Sequence, residues 1–211
     1  MNKEQEIRLA LYLASRNLEE AEKAYAFVIG KEAKVENKNG VYLIYEDSHH
    51  ELFTGENDKE GIKSVGIVFE GHSFAVTMKD LLKPKQYALV SNTVEYKKDS
   101  PLYKGEIDAI FDWDTEAHTK HIVEAGTDIP LKDGEFIPMA AMLVVMYRMR
   151  KQLNKALEYA GGESLKTDGY YLSSSEYSAN YSWYLFFGNG NLNNLTKSYS
   201  YYVRPCTAFN L

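Results

Sequence analysis

The densest group of metal-ligating side chains in the sequence is Asp112, Asp114, His118 and His121. His118 and His121 are three apart and share one face if the segment is helical. A divalent metal could take both imidazoles and a carboxylate. The same residues have a plainer use, with the aspartates placed as helix caps and the histidines solvated. Sets like this arise on many surfaces without a metal, so neither a metal nor a cofactor is expected. The neighbouring His49 and His50 read as loop residues. Ser173, Ser174 and Ser175 offer hydroxyls, but no G-x-S-x-G context surrounds them. Arg204, two residues before the single Cys206, could lower that thiol's pKa; a lone cysteine beside Pro205 reads more simply as packed. No phosphate-binding G-x-x-x-x-G-K-S/T, no G-x-G-x-x-G and no H-E-x-x-H occurs. Nowhere do a nucleophile, a base and an orienting group come together, so the chain is read as a non-enzyme. Glu176 and Arg204 are expected to pair as an anchoring salt bridge.

The elements that must position these residues follow from periodicity. Residues 3–28 read as a helix, with Ile7, Leu11, Ala14, Leu18, Ala21, Tyr25 and Val28 at helical spacing and Gly30 as its stop. Its apolar face serves either the main domain or a larger assembly. Val41 to Tyr45, Ser64 to Phe69 and Ser73 to Met78 read as strands, the last two joined by a three-residue Glu70-Gly71-His72 loop. Asp114 or Thr115 caps a helix over about 115–125. A second helix runs over 138–160, with Pro138 in its first turn and Gly161-Gly162 closing it. Its stripe of Met139, Met142, Leu143, Met146, Leu153 and Leu157 reads as core. Trp183 to Phe187 is a strand, Gly188-Asn189-Gly190-Asn191 a tight turn, and Tyr199 to Val203 a closing strand.

Composition bounds the function. The 211 residues carry 24 basic and 30 acidic side chains, a net charge of −6, which argues against a nucleic-acid partner. No apolar run approaches the roughly 20 residues that span a bilayer. The N-terminus lacks the apolar stretch of a signal peptide, which points to synthesis in the cytoplasm. One cysteine permits no internal disulfide. Tyrosine is abnormal: eight of the 17 lie between Tyr170 and Tyr202, where Asn and Ser crowd and Lys197 is the only charge between Glu176 and Arg204. Tyr, Trp, Ser, Gly and Asn are the residues of antibody paratopes, combining rigid contact area with adaptable hydrogen bonds. An ordinary aromatic sheet, such as a carbohydrate-binding surface, has the same composition, and both readings stand on composition alone.

The segment from Tyr170, YYLSSSEYSANYSWYLFFGNGNLNNLTKSYSYYVRPCTAF, resembles the end of the C-type-lectin-fold variable proteins diversified by retroelements. In those a Y-W-S-S-S/T-E-Y-S start precedes a Trp, an N-G-N turn, a Lys and a closing V-R-P/A-V-x-A-F. The same ending marks domains like the formylglycine-generating enzyme and the related Lcl C-terminal group. Upstream, AGTDIPLKDGEFIPMAAMLVVMYRMRKQLNKALEYAGG is similar to the family's helix region. GVYLIYEDSHHELFTGE and SVGIVFEGHSFAVTMKDL are similar to its opening strands, a type found in gut bacteria and their phages. Leu172 stands where the family usually has Trp, and Met139 and Met142 replace small polar and acidic positions. The enzyme branch uses a cysteine pair and copper, so its activity does not carry over to a chain with Cys206 alone.

The resemblance implies an α+β C-type lectin fold over residues 38–211, with antiparallel strands and two helices. A helical segment, 1–37, precedes it, and a hypervariable region covers about 170–209. It implies a ligand-binding display protein, with a non-diversified carbohydrate- or protein-binding domain or a formylglycine-generating-type enzyme homologue as the alternatives. Scaffold positions would be Ser173, Ser174, Glu176, Tyr177, Trp183, Gly190, Lys197, Val203, Arg204 and Phe209. Variable, ligand-facing positions would be Asn180, Tyr181, Tyr184, Phe186, Asn189, Asn191, Asn193, Asn194, Leu195, Ser198, Tyr199, Ser200 and Tyr201. Tyr181, Tyr184, Phe186, Tyr199 and Tyr201 are expected to form one exposed aromatic patch. The implied partner is a protein or glycan on a cell surface. The N-terminal helix would join a second copy or a phage tail, and a virion component such as a tail-tip receptor binder is favoured over a bacterial lipoprotein.

Overall fold

A computed structural model describes residues 38–81, 100, 102–124, 129–197 and 201–210. The expected helix over 3–28 lies outside the described residues. Strand β1, Gly40–Tyr45, is nearly all buried and pairs antiparallel with β3, Ile62–Phe69, and with the short β2, His50–Leu52. β3 turns directly into β4, His72–Val76, with Phe69 opposite His72. The connecting loop is therefore Glu70-Gly71, two residues rather than the three expected. Both have positive φ, 48° and 83°, as the tight hairpin turns matching strand twist require.

The helical pattern gives three elements among the described residues. α1, Glu106–Phe111, was not anticipated. α2, Thr115–Glu124, starts where expected, and the Ala117 N–H donates to Asp114 Oδ1 at 3.2 Å. α3, Ala140–Tyr159, begins two residues later than expected. Pro138 lies outside its first turn, and its carbonyl accepts the Ser174 N–H at 2.9 Å. At the far end the Gly162 N–H donates to the Leu157 carbonyl at 2.8 Å, so Gly161-Gly162 does close the helix.

Two antiparallel sheets flank α3. The larger has strand order β2-β1-β3-β4-β9-β5, where β5 is Glu135–Phe136 and β9 is Cys206–Thr207. The smaller has order β6-β7-β8, with β6 Tyr170–Glu176, β7 Tyr181–Phe186 and β8 Asn191–Thr196. Met139, Met142, Leu143, Met146, Leu153 and Leu157 are buried in one cluster with Val41, Leu43, Ile67 and Val76 of the large sheet and Tyr171 and Leu185 of the small one. The methionine stripe is core. The architecture is mixed α+β with antiparallel sheets and few helices, and Asn39–Asn210 form one compact unit.

The end of the chain departs from expectation. The closing strand is Cys206–Thr207, inserted between β4 and β5. Tyr202 instead makes an isolated parallel bridge to Tyr171, and Tyr199 lies outside the described residues. No described helix is long and apolar enough to cross a membrane.

Two glycines at tight turns separate backbone strain from crowding. Gly71, φ 83°, has open space where a Cβ would stand, whereas a Cβ on Gly190, φ 82°, would meet the Tyr147 ring. Gly71→Ala should cost about 1–2 kcal/mol, the left-handed strain alone. Gly190→Ala should cost about 1–3 kcal/mol more, from overpacking. Urea midpoints of the two variants check the order.

Candidate functional site

The small sheet sorts the tail residues onto two faces. Successive strand residues point to opposite sides, and β7 and β8 run in unbroken register, with Tyr184 opposite Asn193 and Phe186 opposite Asn191. Tyr171, Trp183, Leu185 and Leu192 point to the α3 side, where they join the main core and the small Ala109–Ala140–Trp183 cluster. Tyr170, Leu172, Tyr184, Phe186, Asn191, Asn193 and Leu195 point the other way. Tyr201 lies on that second face, its ring 4.1 Å from Tyr184 and edge-on to Tyr170 at 6.2 Å. Tyr170 packs on Phe186 at 5.1 Å and its hydroxyl takes the Asn193 amide at 3.4 Å. Tyr170, Phe186, Asn193, Leu195 and Tyr201 are half-buried and Asn191 is exposed.

This arrangement corrects the expected aromatic patch. Tyr184 is fully buried, packed with Ile122, Ile137, Leu172 and Val203, so its ring is a floor and not a contact surface. Tyr181 is 44% exposed but lies on the opposite face, because it is an odd number of residues from Tyr184. Asn194 is separated from Asn193 and Leu195 in the same way. Asn180 and Asn189 are exposed in the two hairpin turns. Ser198, Tyr199 and Ser200 lie outside the described residues. Tyr170 is a member of the face that the sequence reading missed; its even spacing from Leu172 was the available signal.

Beneath the face the interior is polar. Glu176, fully buried, holds the Lys197 ammonium through Oε1, and its Oε2 lies 3.3 Å from His121 Nε2. Burial pushes the Lys197 ammonium below the usual lysine range, opposed by Glu176. Tyr103 bridges to Glu176, and burial together with that carboxylate pushes its hydroxyl up to about 12. Burial raises the Tyr184 hydroxyl as well, and among the described residues the hydroxyl has no hydrogen-bond partner. The expected Glu176–Arg204 bridge does not form. Arg204 bonds Asp80 at 2.6 Å instead, because Glu176 is already committed to Lys197.

The remaining candidates are used structurally. Ser175 Oγ accepts the Ala140 N–H at 3.1 Å, and Ser173 Oγ accepts the Ser175 N–H at 2.9 Å. The serines thus satisfy an orphan donor at the start of α3, where Met139 supplies no side-chain cap. Trp183 donates to the Lys104 carbonyl at 2.9 Å. Cys206 is fully buried, and burial pushes its thiol up against the opposing pull of Arg204. The four metal candidates do not converge on one point. His118 is buried with its Nε2 3.0 Å from Asp112, His121 faces Glu176, and Asp114 caps α2. Burial raises the Asp112 carboxyl, but the Asp114 N–H, His118 and Lys104 outweigh it and leave the carboxyl below its ordinary value.

No protein-family model matches the chain, and no curated protein matches it significantly. Among solved structures, the crystal structure of a fimbrial protein from Bacteroides ovatus ATCC 8483 is similar over 82% of this chain, at 10% identity and a TM-score of 0.45. The similarity spans 49% of that chain, so this protein matches about half of its length.

Glu176→Ala leaves the buried Lys197 ammonium without its carboxylate and should cost about 3–5 kcal/mol. Tyr184→Phe removes a buried hydroxyl that has no partner among the described residues, and should be neutral or stabilising. Denaturation curves that rank the two alike would show that the hydroxyl is bonded. Excess chelator should leave the melting temperature unchanged, since a bound metal would have stabilised the native state by mass action.

Proposed function

We propose that this protein is a ligand-display domain of the C-type-lectin-fold, retroelement-diversified type. Its ligand is a protein or glycan on a cell surface, and its carrier is a phage particle or a bacterial surface. One observation carries the reading: the small sheet is buried through β6 and most of β7, while the end of β7 and β8 form a rim that reaches solvent. Ser173, Ser174, Glu176, Trp183, Lys197 and Arg204 are each 3% exposed or less. Phe186, Asn191, Asn193, Leu195 and Tyr201 share one face and reach solvent. Side chains of the second kind can change with little effect on folding, while aromatics and amides grouped on one face provide contact area and adaptable hydrogen bonds.

No catalytic role is proposed. The Ser175 hydroxyl is engaged with α3 and the Cys206 thiol is buried. Copper-dependent oxidation of a cysteine peptide by the purified protein would overturn this part of the reading.

Asn191→Ala and Tyr181→Ala should stay within about 0.5 kcal/mol of the parent, as exposed substitutions do. Trp183→Ala should cost about 3–5 kcal/mol. Phe186→Ala and Tyr201→Ala should fall between. A thermal melt of the five variants tests the division; equal losses would mean the face is core. The diversification itself is tested in the flanking DNA. A near-copy of codons 170–209 that differs at adenines, beside a reverse transcriptase gene, is the expected finding. A locus without that copy and without the reverse transcriptase overturns the retroelement reading.

A further inference from the structure

Open sheet edges present unpaired backbone groups, and proteins blunt them by keeping the strand short, charging it or covering it. Three of the four edges here are handled in that way. β2 has three residues and carries the exposed Glu51, and β5 has two residues. The outer side of β6 is bridged by Tyr103 and by Tyr202. There the Lys104 N–H donates to the Glu176 carbonyl at 2.9 Å and the Leu172 N–H donates to the Tyr202 carbonyl at 2.8 Å. The fourth edge is β8, six residues of sequence NLNNLT. It has no charge, no proline and no glycine, and among the described residues no strand pairs with its outer side.

The ladder shows which backbone groups are open. The Lys197 N–H donates to the Asn180 carbonyl at 3.0 Å. Hydrogen-bonded and non-hydrogen-bonded pairs alternate in an antiparallel ladder. The bonded pairs of β7 and β8 are therefore Ser182–Leu195, Tyr184–Asn193 and Phe186–Asn191. The N–H and C=O groups of Leu192 and Asn194 then turn away from β7. Among the described residues, no backbone hydrogen bond outside the ladder uses these four groups. Asn194 is exposed and Leu192 half-buried.

We infer that the β8 edge receives an extended segment of a polypeptide ligand, which adds to the small sheet as a fourth strand beside Leu192 and Asn194. Alternating main-chain donors and acceptors at strand spacing are complementary to another extended backbone. A glycan does not present that pattern. Asn191, Asn193 and Leu195 flank the added strand on one face and Asn194 on the other, placed to contact its side chains. The inference rests on the display reading in taking β8 as the variable strand, and it gives that reading a physical logic. Main-chain bonds to Leu192 and Asn194 persist when the side chains of Asn191, Asn193 or Asn194 change, so affinity has a constant part and specificity a variable one.

The test selects random twelve-residue peptides, displayed on phage, against the immobilised full-length protein. Selected peptides are then synthesised and measured against three variants. Asn194→Pro removes the outward N–H without removing a bond to β7, Asn194→Ala keeps that N–H, and Phe186→Ala alters the aromatic face. Peptides that bind Asn194→Ala but lose about tenfold or more on Asn194→Pro, the worth of one ordinary hydrogen bond, support the inference. Residue-resolved amide exchange makes the test independent of how well the proline variant folds. Leu192 and Asn194 amides should exchange fast in the free protein and slowly with peptide bound. Failure to select any peptide, equal binding to Asn194→Pro, or amides already protected in the free protein overturns the inference. Protection that grows with protein concentration assigns the edge to a second copy and also overturns it. Peptides lost on Phe186→Ala and kept on Asn194→Pro overturn the edge inference while leaving the display reading intact. A locus without the retroelement copy removes the display reading and leaves peptide binding at the edge to be judged on these measurements.

Discussion

The fold depends on one buried guanidinium. Arg204 is fully buried, and an ion taken out of water costs several kcal/mol unless its donors are matched. Here Nε donates to Asp80 at 2.6 Å, Nη1 to the Thr77 carbonyl at 3.1 Å, and both Nη1 and Nη2 to the Glu163 carbonyl at 3.0 Å. The second Asp80 oxygen accepts the Tyr171 hydroxyl at 3.0 Å, and that hydroxyl takes the Lys166 N–H at 2.8 Å. The segment after β4, the loop after α3, strand β6 and the C-terminal stretch meet at this point. Arg204 and Asp80 are 124 residues apart, so the contact is wholly tertiary.

Placement of the last residues follows from that anchor. Tyr202 lies against Tyr171 of the small sheet, while the Pro205 carbonyl takes the Thr77 N–H at 3.1 Å. The chain thereby passes from one sheet to the other within a few residues and delivers Cys206–Thr207 between β4 and β5. The serines of β6 add a second tie, because Ser175 satisfies the Ala140 N–H and Ser174 bonds the Pro138 carbonyl. β6 is thus fixed at one end by the arginine network and at the other by the start of α3. The outer half of the sheet, β7 and β8, hangs on β6 and on Trp183. Its solvent-side residues take no part in either tie.

The interior of the small sheet carries more polar chemistry than a core needs. Glu176 serves Lys197 and lies near His121, with Tyr103 and Tyr184 close enough for the carboxylate to act on their hydroxyls. Buried ion pairs contribute little net stability but are costly to break. Such a pair here sets the position of Lys197, the residue that follows β8, relative to Glu176 at the end of β6.

Patterns with a period were legible in the sequence. β1, β3 and β4 show as apolar, β-branched runs, and α2 and α3 show through caps, closing glycines and the methionine stripe, within two residues at their ends. β7 shows through its aromatic run. The unread elements have no local signature. NLNNLT has little intrinsic strand preference and is a strand because β7 pairs with it; Cys206–Thr207 is a strand because Arg204 brings it to β4. Of the residues expected as scaffold, Ser173, Ser174, Glu176, Trp183, Lys197 and Arg204 are buried and Tyr177 is exposed; the partners of the charged ones were not legible. Two acids and two bases, Asp80, Glu176, Lys197 and Arg204, can be paired in more than one way, and only three-dimensional distance chose Glu176 with Lys197 and Asp80 with Arg204. The alternation that separates Tyr181 from Tyr184 was present in the sequence. What covers each face was not, because burial of Tyr184 requires Ile122, Ile137 and Val203, which come from three distant stretches of chain. The sequence determined which segments alternate and which turn; the tertiary structure decided which side of each strand meets solvent, because burial is a property of the neighbours and not of the residue.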